Sequence, residues 1–191
     1  MGIIVQEDLF RAADRTLPEG FRYSAEIVRP DLQRTVLEAM PTLAFKAFDF
    51  HGFEGKRRTV SSGWKYDFDS QRVRRADAMP SVLLPIREVV ARFAGIEPDA
   101  LVQALTEYGP GAPIGWHKDK FVFGRVVGVS LLSSCTFRLR RRDDAKWQRR
   151  SLVLEPGSAY LMAGASRTLW EHSIAPVDRL RYSITFRELA E

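Results

Sequence analysis

Apolar residues recur at helical spacing in two places. In residues 30–40, Leu32, Val36, Leu37 and Met40 fall on one stripe, which predicts a first amphipathic helix. A second stripe, Val82, Ile86, Val89, Val90 and Phe93, predicts a helix that starts at Pro80-Ser81, takes Ser81 as its cap and stops at Gly95. From Ala100 the period changes to two. Short runs over 102–108, 126–132, 136–142, 148–154, 159–162 and 180–187 are rich in Val, Leu, Phe and Tyr and are broken by Gly, Pro or charged clusters, as strands are. Thr136-Phe137-Arg138-Leu139-Arg140 alternates strictly, the pattern of a half-buried strand. Residues 45–75 are aromatic and basic, with turn signals at Gly52, Gly55 and Gly63. Helices followed by many strands predict an α+β domain whose sheets form a sandwich or barrel. No repeat or linker interrupts the pattern, so one domain is expected over residues 1–191, with an N-terminal part (1–99) and a strand-rich core (100–191).

Composition narrows the class. Hydrophobic residues make up 45% of the 191 and charged residues 28%, which is the balance of a globular chain rather than a disordered one. No stretch has the roughly 20 apolar residues of a membrane helix, and no membrane partner is expected. Residues 1–8 lack the basic and apolar regions of a signal peptide, and Gln6 argues against myristoylation at Gly2. Cys135 is the single cysteine, so no internal disulfide forms. These features point to a cytoplasmic protein, with a monomer as the working expectation. A net charge of +5 favours polyanionic partners, without naming one.

Candidate chemistry lies in the second half. The chain has three histidines, His51, His117 and His172. His117 and Asp119 stand two apart, so at a strand end both side chains can reach one ion. With His172 they make two imidazoles and a carboxylate, the facial triad of non-heme Fe(II) oxygenases, which leaves coordination positions open. The alternative is a surface pair and an unrelated core histidine. In the tail, Arg181 and Arg187 are separated by an even number of residues. On a strand both face one side, about 20 Å apart at about 3.3 Å per residue, with Ser183 and Thr185 between them. Tyr182, Ile184 and Phe186 take the other side. Inward arginines need anions, because an unpaired buried charge is costly. A dicarboxylate bridging from an arginine to a metal would supply one; an exposed basic edge strand is the alternative.

Three blocks together resemble the AlkB family of Fe(II)- and 2-oxoglutarate-dependent dioxygenases. They are residues 105–119, ending Gly115-Trp116-His117-Lys118-Asp119; residues 155–174, containing Leu169-Trp170-Glu171-His172-Ser173-Ile174; and Arg181 to Arg187, ending Ser-Ile-Thr-Phe-Arg. Upstream, Lys56, Arg57, Arg58, Gly63, Tyr66 and Asp67 look like the family's substrate-side loops. The resemblance implies a double-stranded β-helix (jelly roll) core with N-terminal helices and substrate-side loops. It implies that His117, Asp119 and His172 bind Fe(II). It also implies that Arg181 pairs with the distal carboxylate of 2-oxoglutarate, that Tyr108 donates its hydroxyl there, and that Arg187 lies nearer the metal end. The co-substrates would be 2-oxoglutarate and O2, and the reaction would yield succinate, CO2 and a hydroxylated C–H bond. The implied substrate is an alkylated or modified base in DNA or RNA, as in DNA repair or RNA modification.

The chain departs from the family's repair enzymes at three positions. Thr106 and Ser183 stand where those enzymes have Asn, and both can still hydrogen-bond a carboxylate. Phe121 stands where the bacterial repair enzyme has an acidic residue that reads the damaged base, which bears directly on substrate choice. Trp64 and Tyr66, with Arg58 and the surrounding basic residues, could wall a flipped base or could pack in the core. A second basic cluster, Arg138, Arg140, Arg141, Arg142, Lys146, Arg149 and Arg150, surrounds a hairpin turn at Asp143-Asp144 and is either a phosphate-binding surface or a solvated hairpin. Cys135 and His51 read as structural. Two rival functions stay open: the same chemistry on a protein or small molecule, and a nucleic-acid-binding module without turnover.

Overall fold

The structure is a computed structural model and describes residues 17–50, 53–67, 72–75 and 77–190. In chain order it runs β1 (Phe21–Ser24), α1 (Pro30–Ala39), β2 (Lys46–Phe50), β3 (Phe53–Ser62), β4 (Trp64–Asp67), β5 (Arg72–Arg75) and α2 (Leu84–Ala94). It continues with β6 (Leu101–Tyr108), β7 (Ile114–His117), β8 (Phe123–Leu131), β9 (Cys135–Asp143), β10 (Lys146–Leu154) and β11 (Ala159–Met162), then α3 (Gly164–Thr168), β12 (Glu171–Ile174) and β13 (Arg181–Leu189). The major sheet has the order β1-β11-β8-β13-β6-β3-β2 and the minor sheet β10-β9-β12-β7; β4 and β5 pair separately. Sequence neighbours such as β7 and β8 therefore sit in different sheets. That crossing is the jelly-roll arrangement, which closes a core without a long exposed edge.

Alternation along the strands separates two apolar layers. On one side of the major sheet, Leu105, Val127, Val129, Leu161, Ile184 and Phe186 pack against Val36 and Met40 of the first helical segment and Ile86, Val90 and Ala94 of α2. Between the two sheets, Phe21, Tyr108, Phe137, Leu139, Tyr160, Met162 and Trp170 form the second layer. The expected sides of β13 hold: Tyr182, Ile184 and Phe186 join the helix-covered layer, and Arg181 and Ser183 face the minor sheet.

The structure departs from the sequence pattern in three ways. Ser81 makes no capping hydrogen bond; residues Ser81–Leu83 form a 3-10 turn and α2 begins at Leu84. Pro85 sets that start, since it lacks an N–H and its fixed φ suits the first helical turn. Gly95 does end α2, with φ of 67°, a left-handed conformation that glycine adopts without a Cβ clash. Where loops were expected over 45–75, the chain forms β2 to β5, and β3 runs straight through Gly55. Strands β1, β7 and β12 were also unmarked, because four-residue strands are too short to show a period.

Arg125 fastens the end of α2 to β13. It donates to both Glu188 carboxylate oxygens at 2.8 Å and to the carbonyls of Gly95 (3.0 Å) and Ala94 (3.4 Å). The hydrogen bonds from Arg125 hold the Glu188 carboxyl below its ordinary value of 4.5. A depressed carboxyl stabilises the fold above that ordinary value and stops doing so as pH falls through the lowered one. Glu188→Gln should therefore lower stability at pH 7 by about 1 kcal/mol or less, since the pair is part-exposed. Urea unfolding should show the difference from the parent disappearing in acid, below the lowered pKa.

Candidate active site

His117 ends β7, and His172 lies directly opposite it on β12. Their ring centroids are 4.2 Å apart. Asp119 lies just beyond β7, outside the strand, and its Oδ2 stands 3.8 Å from His172 Nε2. One donor atom from each of the three residues lies within 4.8 Å of the others, close enough for one ion to be shared.

Protonation suits a metal, whose ligands must be deprotonated. Burial pushes the His172 pKa down to about 4, leaving that ring neutral near pH 7. Burial pushes Asp119 up, but Arg187, His172, His117 and Arg167 outweigh it, so the carboxyl stays below its usual range. His117 Nδ1 lies 2.9 Å from the Gly115 carbonyl, so a proton on Nδ1 leaves the Nε2 lone pair free. The donor set, two imidazoles and an ionised carboxylate, fits non-heme Fe(II). Phe137 stacks on His172 with 5.5 Å between centroids and fixes the ring. Arg187 approaches Asp119 Oδ1 at 3.7 Å.

The major sheet supplies the opposite wall. Thr106, Ser183 and Ser130 are in register across β6, β13 and β8, a row of three buried hydroxyls where a packed core would have apolar side chains. Arg181 lies two register positions from Ser183, opposite Tyr108, and is 1% exposed. Its Nε donates to Ser130 Oγ at 3.2 Å, and its guanidinium sits 4.8 Å from the Tyr108 ring centroid. Its Nη1 is buried with no hydrogen-bond partner. Tyr108 Oη and Ser183 Oγ are 3.4 Å apart. A guanidinium so buried, with an idle donor and hydroxyls beside it, is arranged for a carboxylate.

The expected substrate-side residues take different positions. Arg58 is drawn to the other face of the major sheet, where it clamps both Glu107 carboxylate oxygens at 2.7 and 2.8 Å and lies over Phe45. Its neighbour Arg57 is the residue opposite Tyr108, and burial lowers its pKa. Phe121 is 83% exposed in the loop that follows Asp119. Trp64 and Tyr66 lie on β4, paired with Arg75 and Val73. His51 lies outside the described residues.

The structure adds residues that motif spacing did not reveal. Arg167 is buried and donates to the carbonyls of Lys120, Phe123 and Gly124, holding the loop after Asp119. Lys118 donates to the Thr168 carbonyl at 3.0 Å and ties that loop to α3. Tyr160 is buried beside Phe137, with its pKa raised by burial and by nearby Asp119. A methyl group at Gly128 would overlap the hydroxyl edge of the Tyr160 ring. Gly128→Ala should therefore displace that ring, costing about 1–3 kcal/mol of stability, as overpacking does. Thermal unfolding would register the loss; an unchanged melting temperature would mean that the ring has room to move.

This two-sheet fold, with a His-Asp-His cluster on one wall and a buried arginine on the other, defines a class. The chain belongs to the 2OG-Fe(II) oxygenase superfamily, whose family model matches residues 24–187. It is therefore an oxygenase that uses Fe(II), 2-oxoglutarate and O2. Two similar solved structures share the fold. OsALKBH1 is 17% identical, with 90% of this chain and 98% of that one covered and a TM-score of 0.65. A Pseudomonas putida prolyl-4-hydroxylase is 16% identical, with 95% and 99% covered and a TM-score of 0.59. No curated protein gives a significant match. Among the described residues, no helix is long and apolar enough to cross a membrane.

Proposed function

We propose that this oxygenase acts on an alkylated or modified base in nucleic acid, as a member of the AlkB branch. The observation that carries the oxygenase chemistry is that the His117-Asp119-His172 donors and the buried, half-satisfied Arg181 both lie near Tyr160 between the two sheets. The nucleic-acid reading draws on the AlkB-like sequence blocks, the likeness to OsALKBH1 and the basic charge. A cytoplasmic address fits the buried, unpaired Cys135.

In this reading His117, Asp119 and His172 hold Fe(II). When bound, iron and 2-oxoglutarate supply the oxidising power that inserts oxygen into a C–H bond, the hard chemistry that belongs to the cofactor. The protein supplies position. Arg181 takes the distal carboxylate of 2-oxoglutarate, with Tyr108, Thr106 and Ser183 offering hydroxyls beside it. Arg187 stays near the metal end, where it keeps Asp119 ionised. Arg167 and Lys118 hold the loop that carries Asp119. Trp64 and Tyr66 of β4 are assigned to contact the base, and exposed Phe121 is assigned to meet the substrate beside the Asp119 loop. A neutral, apolar Phe121 favours an uncharged modified base over a cationic one, because it offers no counter-charge.

The likeness to a prolyl-4-hydroxylase supports a second reading, hydroxylation of a protein side chain by the same site. Mass spectrometry separates the two. Nucleic acid and protein pools incubated with enzyme, Fe(II), 2-oxoglutarate and ascorbate should show a changed nucleoside. A hydroxylated peptide with unchanged nucleosides would establish the second reading instead.

A further inference from the structure

The outer face of the minor sheet carries charge that the site does not use. Phe137 and Leu139 point inward from β9, so the alternate residues Arg138, Arg140 and Arg142 point outward. Arg149 of β10 stands directly opposite Arg140 on the same face. The Arg140 guanidinium lies between two indoles, 4.4 Å from the Trp116 ring centroid and 4.5 Å from that of Trp147. Arg138 lies 5.2 Å from Trp116 and donates to Ser173 Oγ at 3.0 Å. Glu171, paired with Arg140, is the acid on this face among the described residues.

Fold stability does not account for this arrangement. Like charges directly opposite on an antiparallel pair repel, and one carboxylate does not balance four cations. A partner with negative charge would. Stacking between rings holds the Arg140 guanidinium in one plane, which lowers the ordering cost of binding. Arginines at alternate positions of one strand repeat about every 6.8 Å, which makes a track rather than a pocket. A track of forked donors suits a chain bearing a phosphate at every unit better than the scattered carboxylates of an acidic protein.

We propose that this face, Arg138, Arg140, Arg142 and Arg149 framed by Trp116 and Trp147, binds the phosphodiester backbone of nucleic acid on the side of the sheet opposite the oxidation site. The inference rests on the nucleic-acid reading of that site and adds a second, non-catalytic binding surface to it.

Fluorescence anisotropy of the full chain with a fluorescein-labelled oligothymidylate tests it. Arg142→Glu with Arg149→Glu should weaken binding more than about tenfold at low salt. The milder pair R142Q/R149Q should lower the dependence of log K on log salt by about 0.7 for each phosphate that is no longer neutralised. Melting temperature and succinate formation without nucleic acid should match the parent in both variants. Unchanged affinity and salt slope would overturn the proposal, as would absence of binding by the parent. Competition by polyglutamate equal to that by unlabelled oligothymidylate would also overturn it and assign the face to an acidic protein. The test distinguishes failure of this surface from failure of the substrate assignment. Nucleoside oxidation with no effect of these variants removes the track alone, whereas a track that binds oligothymidylate in an enzyme that oxidises only peptides removes the base assignment alone.

Discussion

His117→Ala should abolish Fe(II) binding and reduce turnover more than about 100-fold. Loss of residues that merely support metal ligands already costs about 10- to 100-fold, and a direct ligand matters more. The reason is local. His117 and His172 are register partners on adjacent strands, and Asp119 sits in a loop that Arg167 and Lys118 hold in place. Removing one imidazole leaves two donors, too few to hold a facial site. The ring is only half-buried, so the fold should survive its loss. An anaerobic titration with Fe(II) and 2-oxoglutarate reads the result, because the complex should give a metal-to-ligand charge-transfer band. A parental band in the variant would remove His117 from the metal site.

Arg181→Met should weaken 2-oxoglutarate binding by about 30-fold to several thousand-fold, the loss of about 2–5 kcal/mol expected when one partner of a buried charge pair is removed. Without ligand, the same variant should be as stable as the parent or more so. The free protein carries a buried guanidinium whose Nη1 has no partner, and an apolar isostere relieves that desolvation. Opposite signs for stability and affinity distinguish a ligand-binding arginine from a structural one. Thermal unfolding with and without Mn(II) and 2-oxoglutarate measures both. A large loss of stability in the free variant, with 2-oxoglutarate affinity unchanged, would make Arg181 a core residue only.

Much of the site is legible along the chain because its parts lie on regular strands. Residues an even number apart on β13 must share a face, so Arg181 and Ser183 could be assigned to one side and Ile184 and Phe186 to the other from the alternation alone. Arg58 shows the limit of that logic. Its side depends on the register of β3 against β6, where Arg57 pairs with Tyr108 and Arg58 with Glu107, and a shift of one residue reverses every side chain. Tyr160 and Arg167 carry no motif. Tyr160 comes close to Asp119 because β11 lies beside β8, where Gly128 leaves it room, and Arg167 holds the loop after Asp119 because α3 folds back onto it.

The sequence by itself determined the helices α1 and α2, the strands β6, β8, β9, β10, β11 and β13, the shared face of Arg181 and Ser183 on β13, and the identity of the three metal-ligating candidates. Each follows from local periodicity or from the chemistry of a few residue types. Only the tertiary structure decided that His117 pairs with His172, that three hydroxyls align across β6, β13 and β8, and that Arg58 turns to Glu107. Those facts depend on which strands become neighbours and in what register, and pairing between distant segments is set by packing of the whole chain, not by any local pattern.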